Sequence, residues 1–305
     1  MGHRGHWPVM PAELLYWLNP QSGHVYVDCT VGYCGHTKSI LEASTPEGMV
    51  IGIDRDQVAI EMCRARLGGF GERAVLVQGN FVELKRFLNE RGISSVHGAL
   101  FDLGVSSPQI DEPSRGFSFQ SDGPLDMRMD RSAGVTAAEI VDRTAEVDLA
   151  NIIYEFGEER YSRRIARAIV KARADRPIES TSDLVSVIEA AIPAHYRHGR
   201  IHFATRTFQA FRIAVNRELE HLEPALRDAA DVLAPGGRLC VLSFHSLEDR
   251  IVKHTFRELA TAAGGALEIL TKRPQLPTDE EINRNPRSRS AKLRVIQRVA
   301  KEGQA

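Results

Sequence analysis

The residues with the most chemical potential gather where apolar runs end. Val25-Tyr-Val-Asp-Cys-Thr30 leads into Val31-Gly-Tyr-Cys-Gly-His-Thr37, and Asp54 closes the next apolar run 22 positions after Gly32. Gly32 and Gly35 let a backbone pass close to a ligand, and an acid at that distance suits ribose hydroxyls. Asp28 is the kind of carboxylate that holds an α-ammonium group, and Phe81, after Asn80, offers an apolar face to adenine. The glycines do not complete a GxGxxG motif, so a dinucleotide pyrophosphate is poorly served. A ligand that joins a ribose to an α-amino acid and carries no phosphate is S-adenosylmethionine.

A second constellation is Phe101-Asp-Leu-Gly-Val-Ser-Ser-Pro-Gln109. An exocyclic amine on a base has its lone pair delocalised into the ring. Acceptors must hold its hydrogens and pyramidalise the nitrogen before it attacks a methyl group. Asp102 and a neighbouring main-chain carbonyl, such as that of Leu103, suit that task; the plainer alternative is that Asp102 caps a turn. Two further patterns carry less weight. His195, His198 and His202 have metal-like spacing but lie among Pro, Arg and Gly with no fixed carboxylate. Ser243, His245 and Asp249 are too close in sequence for a hydrolase triad, and there is no GxSxG elbow. They read instead as a strand end and a helix start, with Ser246 or Asp249 near the helix N-terminus.

The elements that must position these groups alternate. Strands are expected at 25–30, 49–54, 74–78 and 97–103, with helices at 37–43, 57–67 and 81–91 between them, the rhythm of a parallel sheet covered on both faces. From 111 to 206 the periodicity is helical, notably at 136–141, 147–154, 158–173 and 182–191. A long helical pattern follows through Phe208, Phe211, Val215, Leu219, Leu222 and Leu226. The turn Leu233-Ala-Pro-Gly-Gly-Arg-Leu239 then feeds a strand at 239–244, and a last strand is expected at 292–299. The reading is a discontinuous α/β domain, 1–110 and 207–305, interrupted by a helical insertion, 111–206, that would roof a ligand site beyond the strand ends.

The chain has 305 residues, 43% hydrophobic and 26% charged, which is globular usage. With no apolar run long enough to span a bilayer, a soluble, cytoplasmic protein without a membrane partner is expected. The four cysteines form no CxxC pair, so neither a zinc ribbon nor a disulfide framework is expected. Lys and Arg number 39 against 40 Asp and Glu, a net charge of −1 that excludes indiscriminate coating of nucleic acid. The basic residues are nevertheless clustered. Arg160, Arg164, Arg167 and Lys171 share one helix face; 196–217 holds five arginines and no acid; 282–301 holds seven basic residues and no acid. A phosphate-binding rim is the expectation, with Arg206 beside a polar stripe of Thr205, Gln209, Arg212 and Asn216 turned to the substrate and Phe117 or Phe119 stacking on a base or packing in the core.

One family resembles this chain over nearly its whole length. His6-Trp-Pro-Val-Met10, Asp102-Leu-Gly-Val-Ser-Ser-Pro-Gln109, Arg115-Gly-Phe-Ser-Phe119, Asp122-Gly-Pro-Leu-Asp-Met-Arg-Met-Asp130, Tyr154-Glu-Phe-Gly-Glu-Glu-Arg160, Ala204-Thr-Arg-Thr-Phe-Gln-Ala210 and Ser243-Phe-His-Ser-Leu-Glu-Asp-Arg250 occur in order. They resemble the bacterial ribosomal RNA small subunit methyltransferase H family. The resemblance implies a class I S-adenosylmethionine-dependent methyltransferase with a Rossmann-like sheet and a helical insertion that recognises RNA. Its implied reaction is methylation of N4 of a cytidine in the decoding region of 16S rRNA, presented as free RNA or within the small ribosomal subunit, with no metal required. It further implies cofactor contacts at Cys34, Gly35, His36, Asp54, Phe81, Asp102 and Gln109. Cys34 stands where the family has glycine, which bears on cofactor affinity. Two alternatives remain: a methyltransferase of another RNA base or a protein amide, and a ribosome assembly factor that binds the cofactor but is weakened in catalysis.

Overall fold

The computed structural model describes residues 8–199 and 201–300, so the expectations that touch His6, Trp7, Arg200 and Lys301 lie outside it. In chain order the elements are α1 (Pro11–Leu18), β1 (Val25–Asp28), α2 (Gly35–Ala43), β2 (Met49–Asp54), α3 (Gln57–Leu67), β3 (Ala74–Gln78), α4 (Leu84–Asn89), β4 (Val96–Asp102) and α5 (Ser107–Asp111). Then come α6 (Ala137–Arg143), α7 (Glu146–Gly157), α8 (Ser162–Asp175), α9 (Thr181–Ala191), α10 (Thr205–Asn216), α11 (Glu218–Asp231), β5 (Leu233–Ser243), α12 (Ser246–Ala262), β6 (Leu267–Ile269), α13 (Asp279–Arg284) and β7 (Lys292–Arg298).

The chain divides into two compact units, one up to Gly104 and from Leu219 onward, the other Val105–Glu218. The first unit holds a seven-stranded sheet in the order β3-β2-β1-β4-β5-β7-β6. β1 to β5 are mutually parallel and β7 alone runs against its neighbours. The strand order reverses between β1 and β4, and at such a switch point the crevice beyond the strand ends receives the ligand. Alternation along each strand builds two cores. Val27, Ile51, Ile53, Phe101 and Val241 pack with α4, α11 and α12 residues, while Tyr26, Val50, Leu100 and Leu242 pack with α1, α2 and α3 residues.

The second unit is helical, with its own core of Leu149, Ile153, Ile165, Ile169, Leu184, Phe208 and Phe211 among others. Its seams fall outside the sequence-based boundaries because α5 and α10 belong to it. A Cβ on Gly157 would stand 2.5 Å from the Arg206 carbonyl oxygen, so α7 and α10 meet backbone to backbone. The expected single helix through 208–226 is two helices. Arg217, at φ 51°, is the left-handed C-cap of α10, and its amide donates to the Ile213 carbonyl. The Pro-Gly-Gly segment is no separate turn before β5. It lies inside the strand, where pairing with β4 jumps from Val96↔Leu233 to Gly98↔Arg238.

Candidate active site

Three carboxylates end three adjacent strands. Asp28 closes β1, Asp54 closes β2 and Asp102 closes β4; strand alternation puts all three on the face that carries Tyr26, Val50 and Leu100. Asp28 is buried. It accepts from the Thr30 amide at 3.1 Å and from Thr37 Oγ1 at 2.6 Å. Burial nevertheless raises its pKa from 3.8 to about 6, with nearby Asp54 adding to the rise. Asp54 accepts from the Gly32 amide at 2.8 Å and the Asp56 amide at 2.9 Å, and burial again holds it at about 6.

Those bonds shape the β1–α2 loop. The Val31 amide donates to the Ile53 carbonyl at 3.0 Å, and a Cβ on Gly52 would stand 2.5 Å from Val31 Cγ2, so the loop lies directly over β2. Cys34, at φ 58° and ψ 20°, is the left-handed residue that opens α2. This position does require the positive φ that glycine supplies most readily. Its side chain is buried and hydrogen-bonds Cys63. That bond, helped by the Arg66 guanidinium, draws the Cys34 thiol below its ordinary range. Gly35 follows at the first turn of α2, where a Cβ would come within 3.1 Å of Pro8.

Asp102 is about one-quarter exposed. Its amide donates to Thr30 Oγ1 at 2.6 Å, and its Oδ2 lies 3.6 Å from His36 Nε2. Its Oδ1 meets no hydrogen-bond donor among the described residues. Burial, then Asp28, then Glu248 raise the Asp102 pKa from 3.8 to about 8. Glu248 is itself buried in the first turn of α12, where its Oε2 accepts from the Phe244 amide at 2.8 Å. His245 is the N-cap of that helix, and Ser246 and Asp249 lie in its first turn. Thr30, Thr37 and Glu248 escaped sequence reasoning. The only signal was their polarity beside the motifs, since sheet pairing and side-chain hydrogen bonds bring them to Asp102 and Asp28.

The arrangement fits S-adenosylmethionine. Burial raises all three carboxylates, and a neighbouring acid adds to the rise of each, Asp54 at Asp28, Asp56 at Asp54 and Asp28 at Asp102; a ligand carrying ammonium and sulfonium charges relieves that. Asp28 and Asp54 would hold its polar ends, the glycine-lined loop admits close approach, and half-buried Phe81 stands edge-on to Phe101 at 5.5 Å. Gln109 lies in the helical unit. There its Oε1 accepts from the Ser106 amide at 2.9 Å in the capping box of α5, so it shapes the turn after the Asp102 motif.

The basic residues divide by what they touch. Arg164, Arg167 and Lys171 line the exposed face of α8; Arg167 makes a solvent-exposed pairing with Glu146 at 3.5 Å. The polar stripe of α10 has partners within the helical unit, and Arg206 among them is exposed. Arg206 donates to the Glu158 carbonyl, Gln209 to the Phe156 carbonyl, and Arg212 grips Glu218 with two bonds of 2.9 Å. Asn216 is buried; it accepts from the Met129 amide and donates to the Met127 carbonyl, both at 2.8 Å. Phe119 stacks on His202 and meets Phe208 edge-on, a packing role, and Phe117 also lies against this core. Asp249 pairs with Lys292 and Arg294, so it belongs to an ion cluster. Among the described residues no group of three His, Cys, Asp or Glu side chains has metal-holding geometry, and no helix is long and apolar enough to cross a membrane.

The sequence profile described as the MraW methylase family matches residues 3–299. The chain is 54% identical to the ribosomal RNA small subunit methyltransferase H of Geobacter sulfurreducens, across 96% of this chain and 99% of that one. It is 50% identical to the proteins of the same name from Syntrophotalea carbinolica and Geobacter sp. strain M21, each across 96% of this chain and 98% of the relative.

Proposed function

The chain belongs to the MraW methylase family, and from that premise we propose that it methylates N4 of a cytidine in the decoding region of 16S rRNA. The relatives named for the small-subunit RNA support the substrate class. The observation that carries the reaction type is Asp102: a carboxylate at the switch point that is about one-quarter exposed and lies beside His36.

S-adenosylmethionine supplies an activated methyl group. The protein's part is to bind, orient and take up a proton. Asp28 holds an ammonium group and Asp54 a ribose. The loop from Gly32 to Gly35, with Cys34 and His36, closes around them, and Phe81 supports an aromatic ring. The exposed part of the Asp102 carboxylate accepts an N–H of the target amine, which turns the nitrogen lone pair out of conjugation. When the new N–C bond has formed, the nitrogen sheds one proton, and a carboxylate held near pH 8 in the free protein is matched to receive it. His36, 3.6 Å away on Oδ2, keeps the carboxylate aimed. The outer face of α8, with Arg164, Arg167 and Lys171, contacts RNA phosphates.

Cys34 keeps the loop in the left-handed turn that glycine would allow and points its thiol inward to Cys63, which favours an active enzyme over a weakened assembly factor. Asp102→Ala tests the reading. Folded protein that binds S-adenosylmethionine and RNA normally should lose at least a hundredfold in turnover, in line with the loss of a positioned proton acceptor. Wild-type turnover in that variant would remove Asp102 from the mechanism.

A further inference from the structure

We propose that a second surface, the groove between α12 and the edge strand β6, binds the phosphodiester backbone of the same RNA beside the target nucleotide. The inference rests on the rRNA substrate proposed above. The groove encloses about 450 Å³. Its floor is apolar, from Phe256, Ala260, Leu267 and Ile269, and four cations line it: Lys253, Arg257, Lys272 and Arg294. Glu268 is its single acid.

Charge decides the occupant. Arg294 is committed to Asp249 at 2.7 Å, but Lys253, Arg257 and Lys272 have no ion-pair partner among the described residues, in a protein whose net charge is −1. Such a concentration of unpaired cations beside an apolar strip suits a chain of phosphates with bases that shield the strip. An acidic peptide would leave the strip open, and a simple anion would use one cation.

Position ties the groove to the active site. Asp102 pairs with Leu242 and Leu242 with Leu293, so Leu293 lies two strand spacings, about 10 Å, from Asp102 along the strand-end edge. Lys292, paired with Ser243, stands at that edge, and Arg294 turns to the α12 face where the groove opens. A strand of RNA that presents a base to Asp102 can therefore cross the edge at Lys292 and continue past Arg294, Lys253 and Lys272.

The test is the triple variant Lys253→Gln/Arg257→Gln/Lys272→Gln in the full chain, with a decoding-region fragment of 16S rRNA as probe. Loss of three phosphate contacts should lower the slope of log affinity against log salt by about 2. KM for RNA should rise about tenfold or more while kcat, S-adenosylmethionine affinity and the melting temperature hold. A variant that matches wild type in salt slope and KM, while both methylate the RNA, overturns the groove and leaves the enzyme reading intact. A wild-type protein that neither binds nor methylates the RNA overturns both.

Discussion

Asp102 meets Asp28 and Glu248 in one crowded corner, and the electrostatics of that corner reach both rate and stability. The native pKa values of Asp28 and Asp54 are about 6 and that of Asp102 about 8, all raised from 3.8 chiefly by burial. Between pH 4 and those values the folded chain keeps protons that the unfolded chain has released. The contribution of these groups to stability is therefore largest in acid and falls as the pH climbs toward 8. Urea midpoints measured from pH 5 to 9 should show that fall. Asp102→Asn should flatten its upper part, between pH 6 and 8, and an unchanged slope would separate Asp102 from the effect. Turnover should rise with pH through the same region as Asp102 ionises, and the rise should vanish in the Asn variant. Asn216 is a residue whose importance lies in the fold. Asn216→Ala strands the Met129 amide and the Met127 carbonyl and should cost about 2 kcal/mol in denaturant unfolding.

Among the elements, α7 and α10 depend on one missing side chain. Gly157→Ala would drive a Cβ to 2.5 Å from the Arg206 carbonyl oxygen, so the helices must part. The expected cost is about 1–3 kcal/mol, read as a lower melting temperature of the helical unit, with S-adenosylmethionine binding preserved. The sheet was largely readable in the sequence. β1 to β4 and β7 fall within two residues of their expected limits because each apolar run is bounded by polar or glycine residues. β6 was not readable, since three residues carry no period and owe their conformation to pairing with β7. The break at Arg217 was hidden for a different reason. The apolar spacing continues through it, and nothing in that period registers a single arginine in the left-handed region. At the site, Asp28, Asp54 and Asp102 were visible as strand-end acids, but their crowding on one face was not, because it requires the order β2-β1-β4.

For the whole molecule, a net charge of −1 coexists with local cationic surfaces, so RNA affinity should depend on a few contacts. Replacing Arg164 and Lys171 by Gln should reduce the salt slope of RNA binding by about 1.5, two contacts' worth, without altering cofactor affinity. The basic stripe of α10 was legible as a cluster, but its partners were not: Arg212 is held by Glu218, whereas Arg206 stays exposed while bonding the Glu158 carbonyl. Sequence supplies charge, while packing decides which charges reach solvent. The enzyme reading itself turns on the chemical position of the new methyl group. Small ribosomal subunits or 16S rRNA lacking the modification, incubated with the protein and S-adenosylmethionine, should yield one methylated nucleoside on nuclease digestion and mass mapping. It should be N4-methylcytidine from the decoding region, and Asp102→Ala should abolish it. A methyl group on carbon, on another base or on a protein would contradict the proposed reaction.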